Sequence, residues 1–120
     1  MAKVAGTCFL KVNGEQYSLR GNMTISLGGY ERSSVSGLDQ YHGVIEKPRA
    51  SFIQADITDT DGLDLKVLEN LNNVTVTVEL INGKVAILRQ ATQISALELK
   101  ADDGTISVRF EGPEGEWLAA

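Results

Sequence analysis

The chain has 120 residues, a formal net charge of −5 and one cysteine, Cys8. This length is typical of one domain, residues 1–120, which can fold without a metal or disulfide staple. A single cysteine excludes an intrachain disulfide, and no apolar run reaches the ~20 residues of a membrane span. The acidic balance excludes binding of nucleic acid through clustered Lys and Arg. Residues 61–120 carry the whole net charge, with ten acids and five bases.

The first elements of the chain predict an antiparallel sheet. Residues 7–12 and 16–20 flank an Asn-Gly pair, which is a strong hairpin signal. Residues 22–27 alternate apolar and polar side chains, the period of a half-buried strand. Across the first hairpin we expect Tyr17 to pack on Leu10, because sheets use aromatic side chains in cross-strand pairs.

Residues 28–43 show neither the period of a strand nor that of a helix. We predict a long loop, and structureless loops beyond ~12–15 residues are usually functional or disordered. The segment is polar but carries Tyr30, Val35, Leu38 and Tyr41 as spaced apolar anchors. That mixture is typical of a surface that orders on contact with a partner. The alternative interpretation is a mobile surface loop that has no function.

The rest of the chain predicts one short helix among strands. Residues 63–71 place apolar side chains on one helical face, with Asp61 or Asp64 as the cap. A two-residue Asn-Gly turn places Leu80 opposite Val85. Further extended segments are predicted at 43–47, 49–57, 74–80, 84–100 and 105–111, followed by a short tail over 113–120.

These elements predict a mainly β fold. About eight strands in antiparallel hairpins indicate two packed antiparallel sheets, sandwich- or barrel-like, with one short flanking helix and a long loop.

No constellation of residues predicts catalysis or metal binding. His42 is the only histidine, and no spacing pairs it with Cys8 as a catalytic dyad. An EF-hand alignment of residues 57–68 lacks both essential carboxylates. The glycines form no phosphate-binding motif. We therefore expect no catalytic residue, no metal and no cofactor.

Acids on the polar faces of strands carry a functional signal. Glu79, Glu98 and Glu111 lie on the predicted wet faces of the sheets. In an assembling ring, such faces can turn to a bore while sheet edges join between subunits. If the chain forms such a ring, these three acids are the candidates for residues that face its lumen.

Several motifs together give the chain a family resemblance. They are Val4-Ala5-Gly6-Thr7, Val12-Asn13-Gly14, Tyr17-Ser18-Leu19-Arg20-Gly21, Glu31-Arg32 with Val35-Ser36-Gly37, His42-Gly43 with Glu46 and Pro48, and Asn82-Gly83-Lys84. With these motifs, spread over nearly the whole chain, the sequence resembles the tail tube proteins of Mu-like contractile-tailed bacteriophages.

The resemblance implies a structural protein rather than an enzyme. It implies hexameric rings that self-assemble into a tube in the virion tail, built in the bacterial host cytoplasm without a membrane. The implied partners are further copies of the chain, the tape measure protein, the tail sheath protein, and the baseplate and tail terminator proteins. DNA passes through without specific binding, although pyocin-like particles share this architecture. The long loop would join neighbouring subunits and rings through Tyr30, Glu31, Arg32, Val35, Leu38, Tyr41 and His42.

Two other classes of function stay open from the residues alone. A carbohydrate- or ligand-binding β module would act as a monomer and needs a lined pocket. A small hydrolase needs two convergent carboxyl groups, and any two of the sixteen acids can meet in space.

Overall fold

A computed structural model describes residues 8–118, so the Val4-Ala5-Gly6-Thr7 motif and the last two residues of the predicted tail lie outside the described part. The described chain is mainly β with one short helix, as predicted. Its elements are β1 (Cys8–Val12), β2 (Glu15–Tyr17), β3 (Leu19–Ser26), β4 (Tyr30–Ser36), β5 (Tyr41–Pro48), β6 (Ser51–Thr58), α1 (Leu65–Glu69), β7 (Val74–Leu80), β8 (Val85–Gln93), β9 (Glu98–Lys100), β10 (Thr105–Gly112) and β11 (Glu114–Leu118).

Sheet A contains β2, β1, β7, β8 and β11 in that order, all antiparallel. It begins with the predicted hairpin, in which Leu10 pairs with Tyr17. The two turn residues, Asn13 and Gly14, have φ values of 50° and 84°. Positive φ at both positions is the signature of the type I′ turn that an Asn-Gly pair favours.

Sheet B contains β10, β6 and β3, with β9 and the end of β8 on the other side of β10. Strand β8 belongs to both sheets, because its first residues pair with β7 and β11 and Gln93 pairs with Phe110. The strand bends between these parts at Gln90, whose φ is 54°. Such a bulge turns a strand from one sheet into the next.

The two sheets enclose one hydrophobic core, which confirms the predicted packing of antiparallel sheets. Alternate side chains of each strand point into it, as Ile53, Ala55 and Ile57 do in β6 and as Val108 and Phe110 do in β10. The intervening side chains face outward. This alternation leaves each sheet with one outer face on the protein surface.

Helix α1 is shorter than the predicted span of 63–71. Asp64, not Asp61, is the N-cap, and its Oδ1 accepts the backbone N–H of Lys66 at 3.0 Å. Leu68 anchors the helix in the core. The helix ends early because the next residues join the sheet, where the carbonyl of Leu71 accepts a backbone hydrogen bond from β8.

The predicted register of the second Asn-Gly hairpin is wrong by one position. Val85 pairs with Glu79 rather than with Leu80. The turn holds three residues instead of two, closed by a 2.9 Å hydrogen bond from the N–H of Leu80 to the carbonyl of Lys84. Gly83, with φ of 93°, takes the left-handed position that ends such a three-residue turn.

The predicted long loop is also wrong as to its structure. Residues 30–48 form a two-stranded hairpin of β4 and β5, here called the arm. Its strands are exposed on both faces, so the sequence has none of the burial alternation that marks a strand. A register shift after Val35, opposite Gly43 with φ of 141°, further hides the pattern.

The predicted tail and the predicted strand over 84–100 need correction as well. Residues 114–118 form β11, which closes sheet A against β8. At the end of β10, just before β11, a Cβ on Gly112 would collide with the carbonyl oxygen of Arg89, so the chain approaches β8 there at a distance that only glycine allows. The long strand is divided into β8 and β9 by residues 94–97.

Candidate assembly surfaces

The arm extends far from the body of the protein. The chain measures 62 × 40 × 27 Å, with a radius of gyration of 17.2 Å. A compact domain of this length has a radius of gyration of about 13.5 Å. Strands β4 and β5 have extended contacts only with each other among the described elements. The arm is fixed at its root, where the N–H of Arg49 donates to the carbonyl of Gly29 at 2.9 Å and its guanidinium bonds to Ser26.

Both faces of the arm expose apolar side chains. Tyr30, Tyr41 and Val44 share one face and are each more than half exposed. An ion pair between Arg32 and Glu46 at 2.9 Å crosses the same face. An isolated two-stranded hairpin is at best marginally stable in water. Its exposed aromatic and aliphatic groups therefore form an apolar surface, a candidate for contact with another molecule.

The tip of the arm is shaped by short-range hydrogen bonds. The N–H of Gly37 donates to the carbonyl of Gln40 at 2.8 Å. The His42 Nε2 and the Asp39 Oδ1 lie 3.0 Å apart, and this hydrogen bond lowers the pKa of Asp39. A Cβ on Gly37 would collide with the His42 ring. Leu38 is left fully exposed at the end of the arm.

The structure places all seven loop residues predicted for subunit contacts in the arm. Tyr30, Glu31, Arg32 and Val35 lie on β4, Leu38 at the tip, and Tyr41 and His42 on β5. Sequence reasoning missed Val44 and Ile45, which are 55% and 47% exposed. The sequence contained a signal for them, because two adjacent aliphatic residues directly after the predicted loop indicate an apolar surface there.

The three candidate lumen acids do not share a face. Glu79 lies on the outer face of sheet A, where the Lys11 Nζ bonds to its carboxylate at 3.2 Å. Glu98 and Glu111 lie on the outer face of sheet B, on β9 and β10. Glu111 accepts a hydrogen bond from Arg109 at 2.9 Å. One bore wall made from a single sheet therefore cannot contain all three.

Polar side chains bonded across strands cover the outer face of sheet B. The Asp56 carboxylate accepts from Asn22 at 2.7 Å and from Ser107 at 2.8 Å. Arg109 donates to Gln54 at 2.7 Å and lies 3.9 Å from the centre of the Phe52 ring. Sequence reasoning found the polar residues of this face but not the bonds between them, because bonding partners are up to 85 residues apart.

The outer face of sheet A is more apolar. One row across the sheet pairs Phe9 with Glu79, Glu79 with Val85, and Val85 with Leu118. Phe9 and Leu118 are each 42% exposed. Ile87 lies in the next row. The two outer faces thus differ in chemistry although they cover the same core.

A group of acids lies at the end of the body opposite the arm. Strand β6 begins beside the root of the arm and ends at Thr58, after which the N–H of Asp59 donates to the carbonyl of Gly104 at 2.8 Å. This acidic end holds Glu15, Asp59, Asp61, Asp64, Asp102 and Asp103, with Arg20 and Lys100 as neighbouring bases. The arm and its root are neutral, since residues 28–50 have three acids and three bases.

The described residues offer little for small-molecule chemistry. Within residues 8–118, no three His, Cys, Asp or Glu side chains are grouped to hold a metal ion. An open depression of about 480 Å³ beside α1 is lined by Val67, Leu71, Val74 and polar neighbours, without an aromatic ring. Among the helices of the described segment, none has the length and apolar composition to cross a membrane.

A two-sheet β body with a protruding hairpin that has extended contacts with no other described element points to a class of protein, the structural subunits that build larger assemblies. The family model "Phage tail tube protein" matches residues 1–117. The chain therefore belongs to the phage tail tube protein family, which is a family of structural proteins and not of enzymes. It is a component of the virion tail.

A curated relative supports the same family. The chain is 28% identical over 109 residues to the Mu-like prophage FluMu tail tube protein of Haemophilus influenzae, covering 91% of each chain. This finding agrees with the resemblance seen in the sequence motifs. Membership of this family sets aside the two alternative interpretations of the sequence, a small hydrolase and a monomeric carbohydrate- or ligand-binding module.

Solved structures share the fold at low sequence identity. The cap of the anti-feeding prophage tube has a TM-score of 0.66 at 10% identity, over 94% of this chain and 88% of that one. The sheath/tube terminator of an extracellular contractile injection system has a TM-score of 0.66 at 10% identity, over 99% and 98%. Hcp1 from Flavobacterium johnsoniae has a TM-score of 0.61 at 11% identity, over 94% and 95%.

Proposed function

We propose that the protein forms hexameric rings that stack into the hollow inner tube of a contractile tail, the conduit through which DNA is ejected. The arm is the observation that carries this proposal. It exposes apolar side chains on both faces and has extended contacts with no other described element, so it needs neighbouring copies to cover it. Its protruding position lets it contact an adjacent subunit or the next ring.

The contacts proposed for the arm follow its geometry. Tyr30, Tyr41 and Val44 supply apolar area around the Arg32–Glu46 ion pair on one face, while Val35 and Ile45 lie on the other. Leu38 lies at the tip, next to the Asp39–His42 pair, where it would make the first contact with a partner. A hairpin held between two partners buries both faces, which none of the other described elements of its own subunit does.

We further propose the surroundings of the tube. The tape measure protein lies inside it during assembly, and the tail sheath protein surrounds it. Baseplate and tail terminator proteins bind its two ends, and assembly takes place in the bacterial host cytoplasm. The structural neighbours named as a tube cap and as a sheath/tube terminator share this fold, which supports contacts between tube-like subunits and other tail components.

Electron microscopy of the concentrated protein tests the proposal. We expect stacked rings with six-fold symmetry in averaged end views. The same sample in an analytical ultracentrifuge should show large species whose amount rises with protein concentration. A protein that stays monomeric at every concentration and salt condition would contradict the ring and tube.

A further inference from the structure

An open depression of about 480 Å³ lies beside α1 on the surface of the body. Val67, Leu71 and Val74 give it an apolar lining. Val67 is 56% exposed because it faces the depression, whereas Leu68 fills the core. The lining includes no residue of the arm, which has extended contacts with no other described element. The arm of the same subunit therefore leaves the depression open. Its polar rim consists of Asp64, Lys66, Asn70 and Asn72.

The tip of the arm presents a single apolar side chain. Leu38 is fully exposed, and it is the only apolar residue in the turn from Gly37 to Gln40. That turn is held by the hydrogen bond from the N–H of Gly37 to the carbonyl of Gln40 and by the hydrogen bond between Asp39 and His42. A side chain carried on a closed turn loses less conformational freedom when it binds. The tip is therefore suited to insertion into an apolar depression.

The charges beside the two surfaces are complementary. Asp39 follows Leu38 at the tip, and the hydrogen bond from His42 lowers the pKa of its carboxyl, which keeps it ionised. Lys66 is exposed on the rim and has no ion pair among residues 8–118. The rim carboxylate of Asp64 already accepts two backbone N–H groups at the start of α1. The rim thus offers an unpaired cation to the acid at the tip.

We propose that the arm of one copy inserts Leu38 into the depression beside α1 of a neighbouring copy, with Asp39 next to Lys66. The inference rests on the tube proposed above and names the surface that receives the arm. The tip and the depression are separate surfaces of one subunit, so each copy can insert its own tip and receive another at the same time. A contact between two unlike surfaces generates rings or open filaments rather than closed pairs.

Disulfide trapping tests this contact. Leu38→Cys and Val67→Cys are made in separate chains, each with Cys8→Ala, so that a disulfide between the two variants joins two copies. The variants are mixed under reducing conditions, assembled and then oxidised with copper phenanthroline, and mass spectrometry identifies the linked peptides. Ile94→Cys replaces Val67→Cys in the control mixture, because Ile94 is 50% exposed and does not line the depression.

The expected result is a specific dimer in tubes. A disulfide needs Cα atoms within about 7 Å, so we expect about tenfold more linked dimer from L38C with V67C than from L38C with I94C. Dissociated subunits at the same concentration should show no such excess. Tubes that give equal dimer in both mixtures overturn the inference and leave the tube itself standing. So does a predominant link between two L38C chains, because the tips then meet each other. A wild-type chain that forms no tubes contradicts the proposed function, and this inference with it.

A labelling experiment leaves the tip unchanged. In the Cys8→Ala background, Val67→Cys should react with N-ethylmaleimide about tenfold more slowly in tubes than in dissociated subunits, because thiol reactivity depends on access. Equal rates in the two states overturn the inference, since the depression is then empty in the tube or is left for another tail protein.

A charge exchange tests the pairing of Asp39 with Lys66. Lys66→Glu places a second acid beside Asp39 and should raise the protein concentration needed for tubes by about threefold or more. The control Lys84→Glu makes the same change of net charge at an exposed lysine of the second Asn-Gly turn and should raise it by less than about twofold. Adding Asp39→Lys to K66E should restore the concentration to within about twofold of wild type. Failure of the double variant to recover contradicts the pairing, as does an equal loss in K66E and K84E.

Discussion

The arm and the body of this protein are both antiparallel β structure, but they are stabilised by different things. The body hides alternate side chains of its strands in one core, with Phe110 and Ile57 almost completely buried. The arm has no core, and it is held by its own ladder, the Arg32–Glu46 ion pair, the Asp39–His42 hydrogen bond and the hydrogen bonds of Arg49 at its root. The comparison teaches that hydrogen-bonded strands alone do not make a stable unit, so we expect the arm to be stable only where a partner covers it. The predictions below test that difference.

The largest expected effect is the loss of assembly when the arm is removed. Replacing residues 30–48 with a short Gly-Ser linker should leave a folded body, because the arm has extended contacts with no other described element. The variant should form no tubes in electron microscopy. Circular dichroism and thermal unfolding serve as controls that the body is intact. Normal tubes from this variant would show that the arm is not the stacking element.

A matched pair of truncations should separate folding from assembly. Phe110→Ala empties a core position and should lower the free energy of unfolding by about 3–5 kcal/mol. Leu38→Ala, at the exposed tip, should change it by less than about 0.5 kcal/mol. Urea unfolding measures both. L38A should nonetheless weaken tube formation by sedimentation, and a large loss of stability in L38A would mean that the tip packs on its own subunit.

Hydrogen exchange should distinguish the two regions in a single experiment. Amides of β4 and β5 should exchange fast in the free subunit, because local opening of the arm exposes no core. Amides of β6 and β10, in the middle of sheet B, should exchange slowly. In tubes the arm amides should become slow as well. Arm amides as slow as those of β6 in the free subunit would refute the dependence of the arm on a partner.

Salt should affect assembly moderately. A hexamer of chains that each carry −5 has a charge of −30, and like charges oppose stacking. Raising the salt from about 20 to about 300 mM shortens the Debye length several-fold and should increase the amount of tube. Pelleting measures this directly. A fall in pelleted tube over that range would mean that attractive ion pairs between subunits outweigh the repulsion.

The smallest expected effect is a local response to acid at the tip of the arm. The hydrogen bond from His42 lowers the pKa of Asp39 below its ordinary value of 3.8. A lowered pKa stabilises the tip above the ordinary value, and this contribution is lost as the pH falls through the lowered one. The protection factor of the Gly37 amide, which compares its exchange rate with that of an unstructured peptide at the same pH, should therefore fall below about pH 4, the ordinary Asp range, by NMR. Asp39→Asn should remove this change of the protection factor with pH.

Sequence reasoning recovered the body better than the arm for a physical reason. The alternation in Val74–Leu80 and the Asn13-Gly14 turn are local signals of burial and of positive φ, so the pairing of Leu10 with Tyr17 was predictable. The arm buries neither face, which leaves no period to detect. Strand β11 is equally hidden, because its glutamates and glycine become a strand only through pairing with β8.

The assembly surfaces were predictable in composition but not in arrangement. The apolar anchors of the arm were visible as spaced residues such as Tyr30 and Leu38. The sequence did not show that Glu79 and Glu111 lie on different sheets, because their placement depends on how β8 passes from one sheet to the other. The same holds for the bonds of Arg109, whose partner Gln54 is 55 residues away in the chain.

The separation of the acidic end from the neutral arm gives the subunit a permanent electric dipole along β6, which spans about 25 Å at roughly 3.3 Å per residue. In the tube proposed above, a subunit that diffuses toward an end formed by these acids should experience a torque that turns its own acidic end away and brings the arm forward. The fraction of collisions that arrive arm first should therefore be highest at low salt, even though less tube accumulates there. Growth of such a tube then has a preferred direction of approach before any side chain makes contact.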